Sequence, residues 1–195
     1  MALTTIKNLN LASSVTGTLP VANGGTGLAS GTADQYLKFT GTTTLASAGV
    51  DAGKIGQVTH TKNTTYTTVS NNTFVEMMNV AITPSATSSK ILVLCSAQIG
   101  KGTNNTSVIE RMFRVVGGSD VATQVLCDIS GYTDSTTYNQ IGFSGTQFYD
   151  EPSTTSAITY SYRICSEGNN AIVRFNNYHS GGSFSSQMTA MEILA

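Results

Sequence analysis

The chain has 195 residues, a formal net charge of −1 and 39% hydrophobic residues, but only 11% charged ones, less than half the ~25% usual in globular proteins. So little basic charge excludes a general nucleic-acid or anionic-membrane binder, which needs a basic footprint. Thr, Ser, Asn and Gly stand where charge would, a swap that favours pleated surfaces and turns over helices.

The first stretch, "MALTTIKNLNLASSV", has no apolar core long enough for a signal peptide. No run in the chain approaches the ~20 apolar residues of a membrane-spanning helix, so we expect no membrane insertion and folding in a cytoplasm. Residues 1–56 hold two of the fifteen Phe and Tyr residues, Tyr36 and Phe39, and scatter Leu3, Ile6, Leu9, Leu11, Val15 and Leu19 singly among small polar residues. Such a segment cannot close a core alone, so it is either disordered or buried against other copies. Fully extended it would reach ~180 Å. Within it, "LPVANGGTGLAS" (19–30) fails as a P-loop, because no Lys or Arg lies between Lys7 and Lys38. It also fails as a dinucleotide fingerprint, since Ser30 stands where the third glycine belongs. A tight turn remains, with Gly24, Gly25 or Gly27 at positive φ and Pro20 and Asn23 adding turn chemistry.

From residue 57 the pattern is one of strands and turns. "TFVEMMNVAI" (73–82) places Val75, Met77 and Ala81 on one face and Phe74, Met78, Val80 and Ile82 on the other, which predicts burial on both sides with Glu76 and Asn79 as exceptions. "TPSATSSK" (83–90) is a turn. "SKILVLCSAQI" (89–99) is the strongest strand, with Ile91, Val93, Cys95, Ala97 and Ile99 on one face. Further strands are expected at 110–116, 122–129, 139–149, 156–165, 171–177 and 185–194. In "AITYSYRI", Ile158, Tyr160, Tyr162 and Ile164 are expected to face the core and Thr159, Ser161 and Arg163 to face water. "MTAMEILA" reads as a closing strand that ties down the end. Eight or so strands with no convincing helix predict an antiparallel β-sandwich of jelly-roll type over 57–195, able to fold without 1–56.

The chemistry-bearing residues are sparse. Cys95, Cys127 and Cys165 are odd in number, widely spaced and set in apolar runs, which predicts buried free thiols. Asp150 and Glu151 are the one carboxylate pair worth weighing for glycan hydrolysis. On a strand they would point to opposite faces, and before Pro152 both would sit in solvent, so neither arrangement pairs them. His60 and His179 have no nucleophile at a recognisable spacing, and no enzyme activity or cofactor is expected. Asp120, Asp128 and Asp134 do not form a calcium-loop run, and no metal site is assigned. The polar loops "KGTNNTSV" (101–108), "SGYTDSTTYN" (130–139) and "NYHSGGSFS" (177–185) are the candidate contact surfaces. There Tyr132, Tyr138, Tyr178 and His179 offer flat faces beside Asp134, Asn139 and Asn177, a mixture suited to a sugar's apolar face and hydroxyls. The same tyrosines could equally cap a core or an interface between copies.

The strings "VTGTLPVANGGTGLAS" (15–30), "GKIGQVTHTKNTTYTT" (53–68) and "AITPSATSSKILVLCSAQ" (81–98), closing in "TYSYRI" and "MTAMEILA", resemble the tail fibre proteins of tailed bacteriophages. In that family a Gly/Thr-rich shaft precedes a compact β-rich C-terminal domain. The resemblance implies an extended trimeric shaft over 1–56, attachment to other virion proteins through that segment, and a tip domain over 57–195. It further implies a virion location after assembly in the bacterial host, and recognition of a host-surface glycan or protein by a homotrimer. On this reading the contact residues are Tyr132, Asp134, Tyr138, Tyr178 and His179, and the glycine-rich turn lets three backbones approach closely. A head fibre or capsid decoration protein with a purely structural role is the alternative. The shaft is short, and no tail-docking domain is recognisable.

Overall fold

The computed structural model describes residues 25–26, 28, 30–33, 35–42, 44–49, 53–102, 106–133, 140–168, 171–176 and 184–195, with side chains excepted over 124–133 and 140–141. The chain divides into two compact units, Met1–Asp51 and Ala52–Ala195.

In the first unit the described residues form one hairpin. Strands β1 (Tyr36–Phe39) and β2 (Leu45–Ala48) pair antiparallel from Tyr36↔Ala48 to Phe39↔Leu45. Thr40 N–H donates to Thr44 O at 3.0 Å, and Ser47 Oγ donates to Gln35 Oε1 at 2.7 Å. Leu37 and Phe39 remain exposed, and a lone two-stranded hairpin is marginally stable in water. The glycine-rich turn lies largely outside the described residues, Gly24 and Gly27 among them.

In the second unit the strands are β3 (Ile55–Asn63), β4 (Thr67–Val69), β5 (Val75–Ile82), β6 (Lys90–Lys101), β7 (Thr106–Val116), β8 (Ser119–Thr133), β9 (Gln140–Asp150), β10 (Ile158–Ser166), β11 (Val173–Phe175) and β12 (Ser186–Ile193). Every pairing among them is antiparallel, and no helix occurs among the described residues. One sheet runs β5-β10-β7-β8. The other runs β3-β12-β6 with β9 on the far edge of β6, while the short β11 and β4 continue it beyond the start of β12. The chain passes repeatedly between a four-stranded and a six-stranded sheet, which is the jelly-roll arrangement. The expected all-β, antiparallel, jelly-roll-like fold is therefore the observed one.

The core forms where the ladders face each other. Ile91, Val93, Cys95, Ala97 and Ile99 of β6 are all buried, as the alternation requires, against Ile158, Tyr160, Tyr162 and Ile164 of β10. One buried acid ties the layers together and a second bonds within one of them. Asp150, at the end of β9, accepts from the single nitrogen Arg114 Nη1 at both carboxylate oxygens, at 2.8 and 2.9 Å, and from Tyr160 Oη at 2.7 Å. Glu110 accepts from Tyr162 Oη at 2.6 Å. Burial, reinforced by the nearby Glu110 charge, pushes the Cys95 thiol far up. Cys95 and Cys165 are both buried and in no disulfide, and the Cys127 side chain lies outside the described residues.

Three expectations are corrected. β5 is not buried on both sides, because a bulge opposite Tyr162/Arg163 inserts Met77 and turns Met77 and Met78 both inward. Beyond it the strand alternates, with Val80 and Ile82 in and Asn79 and Ala81 out. The second face of β10 meets water only in part: Ser161 is fully buried and Thr159 and Arg163 are half-buried. The reason is an aromatic cover. Arg163 lies 4.2 Å over the Phe113 ring, Phe113 packs edge-on to Phe74 at 5.5 Å, and Arg111 lies 4.8 Å over Phe74. The third correction is Asp150, which is held inside by Arg114, whereas Glu151 is exposed and pairs with Lys90 at 3.1 Å.

Candidate functional site

The strand registers gather the polar loops at one end of the sandwich. β6 ends at Lys101 and β7 begins at Thr106, β8 ends at Thr133 and β9 begins at Gln140, and β11 ends at Phe175 while β12 begins at Ser186. Gly100 pairs with Gln140, Ile99 with Phe175, and Ser96 with Gln187, so all three connections leave from the same end of β6. At the other end lie the turn after β5, the Gly117–Gly118 turn between β7 and β8, and the start of the unit. There Gly53 N–H donates to Leu194 O, and Leu194 N–H to Lys54 O at 2.8 Å. The chain therefore enters the sandwich at the end opposite the loops.

The first loop is shorter than the sequence suggests. Thr106 and Ser107 are fully buried strand residues. Thr106 Oγ1 and Ser166 Oγ stand 3.4 Å apart, Ser107 Oγ donates to Glu167, and Glu167 N–H donates to Ser107 O at 3.2 Å. Between the strands lie 102–105, of which Gly102 is described, and a Cβ there would stand 2.8 Å from the Arg174 guanidinium, the far end of a flexible side chain that can shift aside. Gly102 N–H donates to Ile172 O at 2.7 Å, which ties this loop to the one before β11.

The last loop rises from a tighter base. Asn176, buried and at φ 51°, donates from Nδ2 to Asn63 O and Thr65 O at 2.9 and 3.1 Å. Its Oδ1 accepts from Ser186 Oγ at 2.7 Å, and Ser186 Oγ accepts from Gln98 N–H at 2.9 Å. Asn176 N–H donates to Gln98 O at 2.9 Å. The residues before and after 177–185 are thus bonded to each other and to β6. Asparagine suits the first position because it tolerates the left-handed region and brings three hydrogen-bonding groups.

Of the expected contact residues, Tyr132 falls within β8, with its side chain outside the described residues. Asp134 and Tyr138, on the β8–β9 connection, and Tyr178 and His179, on the β11–β12 connection, lie outside the described residues altogether, as do Asn139 and Asn177. Topology brings the two connections to one end. His60 is elsewhere, exposed on β3 with Nδ1 3.0 Å from Thr189 Oγ1. Asp120 is taken by a fork from Arg163 at 2.7 and 2.8 Å. Among the described residues no three His, Cys, Asp or Glu side chains gather as metal ligands.

Sequence reasoning missed an exposed apolar face on the β3-β12-β6-β9 sheet. Leu92, Leu94 and Ser96 of β6 pair with Tyr149, Gln147 and Gly145 of β9 on one side and with Met191, Thr189 and Gln187 of β12 on the other. Val58 and His60 continue the rows on β3. Shallow grooves of about 260 and 370 Å³ flank Leu94, one against Gln187 and Thr189, the other against Gly145 and Gln147. The signal is present but weak. In "GFSGTQFY" the outward set Phe143, Gly145, Gln147, Tyr149 is no more polar than the inward set Gly142, Ser144, Thr146, Phe148.

No protein-family model matches the sequence, and no characterised protein matches it in sequence. Among solved structures, the chain is similar to VP2 of infectious bursal disease virus in a subviral particle, with a TM-score of 0.50 and 9% identity over 80% of this chain and 37% of that one. VP2 in T=1 particles derived from the same virus gives 0.45 and 12%, over 81% and 40%. VP2 of the T13 viral particle gives 0.45 and 9%, over 81% and 39%. At such identity the likeness is one of fold, and this chain spans about two fifths of the length of those proteins.

Proposed function

We propose that this protein is a virion fibre protein of a tailed bacteriophage, a homotrimer that joins other virion proteins through residues 1–56 and recognises a host-surface glycan or protein through the loop end of its jelly roll. The observation that carries the reading is the opposition of ends. The chain enters at Gly53–Lys54, beside Leu194, and the three polar connections leave from the other end. A protein held by its first segment would present those loops outward, on bases fixed by Asn176–Ser186 and Ser107–Glu167. The phage-fibre strings in the sequence give the reading its biological setting. Binding suits this chain better than catalysis, because Asp150 and Glu151 are each engaged by a cation on opposite sides of the chain.

Trimeric display multiplies weak sites. Three copies of each loop around one axis gain orders of magnitude in avidity on a repetitive cell surface, where the geometry lets them engage together. Purified protein should bind host cells and slow phage adsorption. Tyr132→Ala or Tyr178→Ala should weaken binding by ~1 kcal/mol or more per site with the melting temperature nearly unchanged. Loss of stability in both variants would make these tyrosines packing residues.

A head fibre or capsid decoration role is the second reading, favoured by the fold shared with VP2, a protein found in a subviral particle. Gold-labelled protein on virions in electron micrographs separates the two. Label on the head, with no adsorption phenotype, would overturn the receptor-binding reading.

A further inference from the structure

We infer that the outer face of the β3-β12-β6-β9 sheet is where copies of this chain meet. The inference rests on the homotrimer reading above and names the surface that would serve it. Val58, Leu94, Phe143 and Tyr149 stand on this face at 55, 38, 60 and 54% exposure. Together they leave about 400 Å² of apolar side chain open, on the scale of 150–250 Å² for each large residue. That is about half of what one partner buries in an interface of standard size, and the Thr, Gln and Ser positions between them widen the contact.

Three observations favour a second copy as the occupant. The basic groups described on this face lie at its margins, His60 and Lys62 on the edge strand β3 and Lys90 at the start of β6, where Glu151 pairs with it, so its middle is neutral. A charged partner finds no complement there, while a copy brings an equally neutral strip and no like charges to the centre of the contact. Next, the opposite outer face of the same sandwich covers its aromatics with its own arginines, so exposed rings are not a general habit of this fold. Last, the other unit of the chain also leaves apolar side chains uncovered, Leu37 and Phe39 on a two-stranded hairpin. Copies joined through that unit would hold their sandwiches at millimolar effective concentration, where a modest face suffices.

The test uses the full chain. Gln147→Cys places a thiol in the middle of the face, and maleimide labelling of that site is followed by mass spectrometry alongside light scattering. We expect a trimer in which this thiol reacts at least tenfold more slowly than in the Leu94→Lys/Gln147→Cys double variant. We also expect Leu94→Lys to weaken association at least tenfold while keeping a cooperative melt. A trimer in which the introduced thiol reacts as fast as a free peptide thiol overturns this inference and leaves the trimer standing, with the face open to a glycan or a foreign protein. A monomer at micromolar concentration overturns both. Should Leu94→Lys fail to fold, the labelling rate of the single Gln147→Cys variant against a model thiol decides the matter alone.

Discussion

The two sheets of the sandwich share one alternating pattern and turn very different surfaces outward. On β5-β10-β7-β8, Phe74 and Phe113 are roofed by Arg111 and Arg163, and Arg163 is in turn held by Asp120 and Ser161. On β3-β12-β6-β9, Leu94, Phe143 and Tyr149 have no such roof. Strand alternation decides which side chains point out, but not what covers them. Covering depends on a long cation laid over the ring, and the first sheet has two arginines so placed, while on the second Lys90 at the start of β6 is paired with Glu151.

Four substitutions sharpen this contrast, and the largest effect sets the scale from between the sheets. Asp150→Ala should cost about 3–5 kcal/mol in denaturant unfolding, because it leaves Arg114 charged, partly buried and unpaired. On the roofed face, Phe113→Ala should cost about 2 kcal/mol by the same measurement, since the ring contacts Phe74 edge-on and supports Arg163. A loss as small as that of an exposed residue would mean the roof is decorative.

Third comes a pH effect inside the open-faced sheet. Burial alone would raise the Glu192 carboxyl, but it accepts from Ser85 N–H and Ser85 Oγ at 2.6 Å and from Gln57 Nε2 at 2.8 Å, and these bonds bring it below its ordinary 4.5. Its contribution is complete above the unfolded value and fades as pH falls through the lower folded one. Urea midpoints should therefore drop below about pH 4.5, and Glu192→Gln should flatten that part of the curve. Smallest of all, Phe143→Ala should change the stability of the sandwich by no more than about 0.5 kcal/mol. A large loss would show that the open face is part of the monomer's own packing.

Where a strand carries a long run of apolar residues on its inward face, the sequence is readable. β6 is legible because Ile91, Val93, Cys95, Ala97 and Ile99 leave no other face to bury. β10 is half legible: its core face is plain, but the cover over Ser161 comes from residues 48 and 50 positions earlier, Phe113 and Arg111. β5 misleads because a bulge shifts phase mid-strand, and a bulge belongs to the pairing with β10 and leaves no local mark. Asp150 misleads for a related reason. Its neighbour Pro152 suggests a loop in water, while the arginine that draws it inward sits 36 residues away. Of the candidate site, the polar stretches 101–108 and 130–139 overrun their connections, since 106–108 belong to β7 and 130–133 to β8, and the common end of the connections is not legible, since that depends on which strands pair.

The clamp between Asn176 and Ser186 fixes where the last loop starts and stops without using any residue between them. It works as a socket. Lengthening a loop whose two stems are already joined costs only about 0.6 kcal/mol per doubling, so insertions between these stems carry little chain-entropy cost. A molecule under pressure to follow a changing surface would gain from that division, in which a short belt of hydrogen bonds separates the part that must vary from the part that must not.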